Sequence, residues 1–126
     1  MPISPKMSGI HHINLRCSNM ATSKDFYQNT MGFSILLSTD ELFAFPVGNV
    51  FIVFKKAENN AHFNPFTVGT DHIAIACETE EELKRVAEEL SNAGVENTGV
   101  KTDPTLQKQY IAFKDPDRIQ WEFYMV

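Results

Sequence analysis

The feature that most constrains this chain is that it repeats itself. Gly9-Ile10-His11-His12-Ile13-Asn14-Leu15-Arg16-Cys17 lies against Gly69-Thr70-Asp71-His72-Ile73-Ala74-Ile75-Ala76-Cys77 at a constant offset of 60. Gly, His, Ile and Cys coincide at 9/69, 12/72, 13/73 and 17/77. A repeat of this period marks one supersecondary unit that buries its apolar face against its copy. Each copy leads into a helical stretch. In the second, Thr79 and Glu82 form a capping box, Leu83, Val86, Ala87 and Leu90 follow at helical spacing, and Gly94 suits the C-terminal cap. The first helix runs from about Met20 to Thr30 and stops at Gly32. Three strand-like runs follow each helix: Phe33–Leu37, Glu41–Phe45 and Asn49–Phe54, then Thr98–Lys101, Gln109–Phe113 and Ile119–Met125. The expected fold is α+β: two tandem βαβββ modules forming a cup-shaped mixed sheet with helices outside.

At 126 residues the chain is one domain,. The modules span about 9–57 and 69–126, joined by a linker over 58–68, with a flexible N-terminus over 1–8. The linker reads as a solvated connection rather than a lid. Eleven basic against sixteen acidic residues leave a net charge of −5, which argues against nucleic acid or an anionic membrane as partner. Apolar runs such as Val50–Phe54 are far too short to span a bilayer. No export or transit signal is visible, and two cysteines make no disulfide framework, so a cytoplasmic location is expected.

Strands alternate their faces. Ile13, Leu15 and Cys17 oppose His12, Asn14 and Arg16. Likewise Ile73, Ile75 and Cys77 oppose His72, Ala74 and Ala76, and Trp121, Phe123 and Met125 oppose Gln120, Glu122 and Tyr124. The bulky apolar sets belong under the helices, and both cysteines read as buried thiols. His12, His72 and Glu122 then share the inner face of the cup. Two imidazoles and one carboxylate are the components of a facial triad, which leaves coordination positions open.

The Gly9–Leu15 strand, the helix exit Phe26-Tyr27…Met31-Gly32-Phe33, Asp71-His72-Ile73-Ala74 and Lys114–Phe123 together resemble the vicinal oxygen chelate superfamily. That group includes glyoxalase I, extradiol dioxygenases, fosfomycin-resistance enzymes and metal-free bleomycin-resistance proteins. The resemblance implies a divalent metal, Fe(II) or Mn(II) first with Ni, Co or Zn as further candidates, held by His12, His72 and Glu122. His11 is expected to point away. The superfamily's Asp-Pro-Asp-Gly-Asn-x-x-Glu motif matches Asp115–Glu122, with Arg118-Ile119 replacing Gly-Asn. Its first-module counterpart, Gly48-Asn49-Val50-Phe51-Ile52, puts Ile52 at the ligand position. Isoleucine neither ligates nor accepts a proton, so the pattern departs from glyoxalase I and is closer to three-ligand dioxygenases, lyases and transferases.

The expected function is therefore a metal-dependent enzyme that chelates vicinal oxygens of a small oxygen-rich substrate. The alternative is a metal-free small-molecule-binding protein of the bleomycin-resistance kind. Asn14, Arg16, Ile52, Tyr110, Gln120 and Tyr124 are candidate substrate contacts, while no catalytic residue is assigned. Because one module supplies only half a cup, a homodimer is expected, with the site either within one chain or shared across two.

Overall fold

A computed structural model describes residues 1–126. Each half is a four-stranded sheet with one helix. The first half comprises β1 (His12–Cys17), α1 (Met20–Asp25), β2 (Leu37–Ser38), β3 (Leu42–Val47) and β4 (Val50–Lys56). The second comprises β5 (Ile73–Cys77), α2 (Glu80–Asn92), β6 (Lys101–Thr102), β7 (Gln109–Lys114) and β8 (Gln120–Met125). The sheet orders are β1-β4-β3-β2 and β5-β8-β7-β6, with the first and last strands of each module parallel. The βαβββ repeat is thus the fold, and β1 and β5 are both edge strands.

The offset of 60 holds into the helices. Asn19 and Thr79 are the two N-caps, accepting hydrogen bonds from the Thr22 and Glu82 amides at 3.0 and 3.1 Å. The expected capping box is only half made, because the Glu82 carboxylate turns to Arg85 instead. Gly94, at φ +74°, ends the second helix as expected. Beyond α1 the first helix widens into a π-helical turn over Phe26–Thr30.

The second strand of each module is shorter than the sequence indicates, and starts later. Phe33 leaves the ladder to stack on Phe45, with ring centroids 4.7 Å apart. Asn97 accepts the Gly99 amide with its side chain, and Gly99 takes φ +66°, so regular pairing resumes only at Lys101.

One core serves both modules. Tyr27 is fully buried, and its ring centroid lies 4.8, 5.2 and 5.9 Å from those of Phe54, Phe45 and Trp121. Its hydroxyl donates to Asp115 Oδ2 at 2.5 Å and accepts from Trp121 Nε1 at 2.8 Å. The Asp115 carboxylate also accepts the Asp117 and Ile119 amides, and Asp117 accepts the Ser18 amide. This is a polar staple set in apolar surroundings, and every group in it has a partner. Burial dominates its electrostatics: the Asp115 carboxyl is pushed up to about 6, and the Tyr27 phenol is raised well above its usual range,. Side chains from the helix-facing sides of both sheets therefore share this core, and the opposite side of each sheet is its open face. The linker is tied to the second module through the Phe63 amide and the Asp117 carbonyl, 3.2 Å apart. No helix is long and apolar enough to cross a membrane.

Candidate functional site

The ladders fix which residues share a face. In the second module Ile73, Trp121 and Phe113 form one row under the helix, and Ala74, Glu122 and Ala112 form the next row on the open face. His72, preceding Ile73, shares that open face with Gln120, Glu122, Tyr124 and Tyr110. Small Ala74, Ala76 and Ala112 keep the sheet surface low around the Glu122 carboxylate.

His72 and Glu122 are brought together. The His72 Nε2 atom lies 3.5 Å from Glu122 Oε1, and Asp71 Oδ1 lies 2.7 Å from His72 Nδ1. A carboxylate can only accept, so His72 Nδ1 donates to Asp71, and Nε2 is the ring atom left facing Glu122,. At 3.5 Å the imidazole and carboxylate do not fill each other's bonding capacity. Gln120 Nε2 steadies the other oxygen, donating to Glu122 Oε2 at 3.3 Å. Glu122 is buried to 8% exposure. One nitrogen and one oxygen donor, oriented from behind and pointing at a common space, fit half of a divalent-metal site.

His12 is not brought to them. It lies on the open face of the other sheet, and no group of three His, Cys, Asp or Glu side chains converges within the chain. His11 does not point away, contrary to the expectation from strand parity. Its side chain turns back toward its neighbour instead, and its Nδ1 atom lies 2.9 Å from His12 Nδ1.

Ile52 is also relocated. In the first module Ile13, Ile52 and Phe45 form a row under the helix, and Asn14, Val53 and Ala44 form the open-face row. Val53, not Ile52, is the structural counterpart of Glu122, while Ile52 corresponds to Trp121 and is 2% exposed. The cause is the turn. Gly48-Asn49 closes the β3–β4 hairpin on a helix-facing pair, Val47 and Val50. The loop 115–119 closes β7–β8 on an open-face pair, Lys114 and Gln120. Residues equally far past the two turns thus face opposite sides. Either way the first module offers no carboxylate at this place.

The remaining candidates divide by module. Asn14 and Arg16 line a cleft of about 490 Å³ with Glu58, Asn59 and Phe63 of the linker region. Arg16 is partly committed there, donating from Nη1 to the Lys56 carbonyl at 2.9 Å. Tyr110 and Tyr124 stack with centroids 6.1 Å apart. The Tyr124 hydroxyl donates to Asp103 Oδ2 at 2.8 Å. Desolvation, reinforced by Asp103, pushes that phenol up to about 12, while Asp103 is held low by the Thr105 amide and then Tyr124. Tyr124 is thus a fixed donor rather than a base. A second groove of about 680 Å³ runs along the free edge of β5, where His72, Ala74 and Ala76 meet Ile13, Val50 and Ile52. Asp71, which meets the His72 ring, is a neighbour that face alternation does not find; its position directly before His72 is the available signal.

The profile of the Glyoxalase/Bleomycin resistance protein/Dioxygenase superfamily matches residues 9–123. The protein YwkD of Bacillus subtilis (strain 168) is 28% identical, over 94% of this chain and 97% of that one. Among solved structures, lactoylglutathione lyase from Agrobacterium tumefaciens superposes with a TM-score of 0.78 at 16% identity, covering 96% of both chains. The fosfomycin resistance protein FosX from Listeria monocytogenes gives 0.76 at 21% identity, over 96% of this chain and 95% of that one. At these identities the two structures establish a shared fold.

Proposed function

This chain belongs to the glyoxalase/bleomycin resistance protein/dioxygenase superfamily, and from that premise we propose that it is a metal-dependent enzyme acting on a small oxygen-rich molecule. The observation that carries the reading is the His72–Glu122 pair, with Nε2 and Oε1 3.5 Å apart and Asp71 behind the ring. His72, Glu122 and His12 of the partner subunit would hold one divalent cation, Fe(II) or Mn(II) by donor type, with Ni, Co or Zn as further fits. The cation would supply Lewis acidity and a template for vicinal substrate oxygens. The chain's own part is to present His72 Nε2 without a proton, hold Glu122 through Gln120, and offer the Tyr124–Asp103 pair as a fixed polar wall.

Sharing the site between two subunits is supported by what one chain leaves undone. His12 lies apart from the His72–Glu122 pair, and β1 and β5 both end as unpaired edges. An exposed edge invites pairing with another chain. The accessible surface is 8598 Å², whereas a compact monomer of this mass exposes about 6,800 Å². Much of the excess is the extended, exposed N-terminus. The two free, buried cysteines are in keeping with a cytoplasmic location,.

Dioxygenase, lyase or transferase chemistry suits this donor set. Isomerisation of the methylglyoxal–glutathione hemithioacetal is expected to be absent, because Ile52 and Val53 leave no second carboxylate. Efficient turnover by the pure protein would count against the assignment. The apolar groove along β5 supports a second reading, a metal-free binder of hydrophobic small molecules. Protein purified without chelators separates the two. About one equivalent of metal per chain supports the enzyme; no uptake, with ligand-induced stabilisation in EDTA, supports the binder.

A further inference from the structure

The offset that aligns His12 with His72 also aligns His11 with Asp71. Both preceding residues do the same thing in space. Asp71 Oδ1 lies 2.7 Å from Nδ1 of His72, and His11 Nδ1 lies 2.9 Å from Nδ1 of His12. Both lie just outside their strands, and each is placed by its contact with the imidazole that follows it. His11 is held in this pose on two sides. Its ring meets that of His12 edge-on, with centroids 5.1 Å apart at 86°, and it lies 6.2 Å from the Phe51 ring. Its carbonyl accepts the Phe51 amide at 3.1 Å.

We propose that His11 is the positioning residue of His12, accepting a hydrogen bond from His12 Nδ1–H so that His12 Nε2 keeps its lone pair for the cation. Two facing Nδ1 atoms at this distance require one proton between them, and either ring could own it. The choice falls on His12 because its counterpart has no choice: Asp71 can only accept, so His72 must donate. The same backbone position, reached by the same repeat, then delivers the same tautomer in both modules. The means differ. A carboxylate acceptor gives a charge-assisted bond, and an imidazole acceptor a neutral one, roughly half as strong. His12 is therefore the more loosely oriented of the two imidazoles. This inference rests on the metal reading above for its purpose, but its geometry stands without it.

The test separates the two. Long-range ¹H–¹⁵N correlation spectra of the metal-free protein, in slightly alkaline buffer, report which nitrogen of each ring is protonated. His12 is expected as Nδ1–H with Nε2 bare, matching His72. In His11→Ala the His12 tautomer should revert toward Nε2–H, and metal affinity by competition titration should fall about 10- to 100-fold without being lost. His11→Asp should restore both. A wild-type His12 protonated at Nε2 overturns the proposal, as does a His11→Ala protein whose tautomer and affinity are unchanged. If the tautomers are as expected but wild-type protein takes up no metal, the positioning role stands and the metal reading falls.

Discussion

The two modules share a chain path and differ in what they place on it. On the open face of the second, His72, Glu122 and Gln120 form a connected polar group backed by Asp71, and Tyr124 is bonded separately to Asp103. On the corresponding face of the first, Phe51 and Val53 stand where Gln120 and Glu122 stand, and His12 is left with Asn14 and Arg16. The second module carries a paired imidazole and carboxylate; the first sets His11 and His12 beside apolar Phe51 and Val53 and has no carboxylate there. A repeat that preserves the backbone has let the halves specialise. The difference turns on side-chain identity at a few ladder positions and on the length of one turn.

The strongest way to break this contrast is to remove the donors. His12→Ala, His72→Ala and Glu122→Ala should each abolish stoichiometric metal binding, measured by metal analysis after desalting. If cups form across subunits, co-refolding His12→Ala with Glu122→Ala protein rebuilds one intact triad per heterodimer. Binding should then recover to as much as half a site per chain. No recovery places all three donors in one chain, and a monomer by sedimentation at micromolar concentration removes the dimer.

The turn argument is tested by moving a carboxylate into the first module. Ile52→Glu buries an unpaired charge under the helix and should cost about 5 kcal/mol in urea unfolding. Val53→Glu, on the open face, should cost about 1 kcal/mol or less. Equal costs would show that the face assignment is wrong. The staple between the modules gives the next effect. Asp115 holds its proton more tightly folded than unfolded, its usual value of 3.8 rising to about 6. Its stabilising share is therefore full below about pH 4 and is lost as the pH climbs through 6. Relative to Asp115→Asn, the wild type should lose about 2.4 kcal/mol between pH 4 and 7. A flat difference curve would contradict the buried, raised carboxyl. Smallest, Tyr27→Phe leaves Asp115 and Trp121 each short of a partner and should cost about 1–3 kcal/mol.

The fold was legible because the repeat carries it. An offset that survives from Gly9/Gly69 through the caps Asn19 and Thr79 fixes element order, and alternation in β1, β5 and β8 fixes the helix-facing sides. Face alternation also put His72 and Glu122 on one surface. Three things were not legible. Ile52 was misplaced because the motif was counted from a turn, and turn length sets which face follows it. His11 and Asp71 turn toward the side chains that follow them, a contact that alternation does not encode. Phe33 reads as a strand residue by its type, but a buried aromatic stack outweighs that preference. Each miss lies where tertiary packing or a turn overrides a local pattern.

The staple carries a consequence for the ancestry and engineering of this chain. Two modules with one path look interchangeable, as if either could be duplicated to replace the other. The staple forbids that exchange. Tyr27 comes from the first half, and its counterpart in the second is Ala87. Asp115 and Trp121 come from the second, and the short Gly48-Asn49 turn offers nothing like Asp115. A first half copied twice would bury a phenol with no carboxylate to accept its hydrogen bond. A second half copied twice would bury a carboxylate with no phenol. The halves have become obligate complements, so neither expressed alone should unfold cooperatively, while a circular permutant opened at the linker keeps both parts and should.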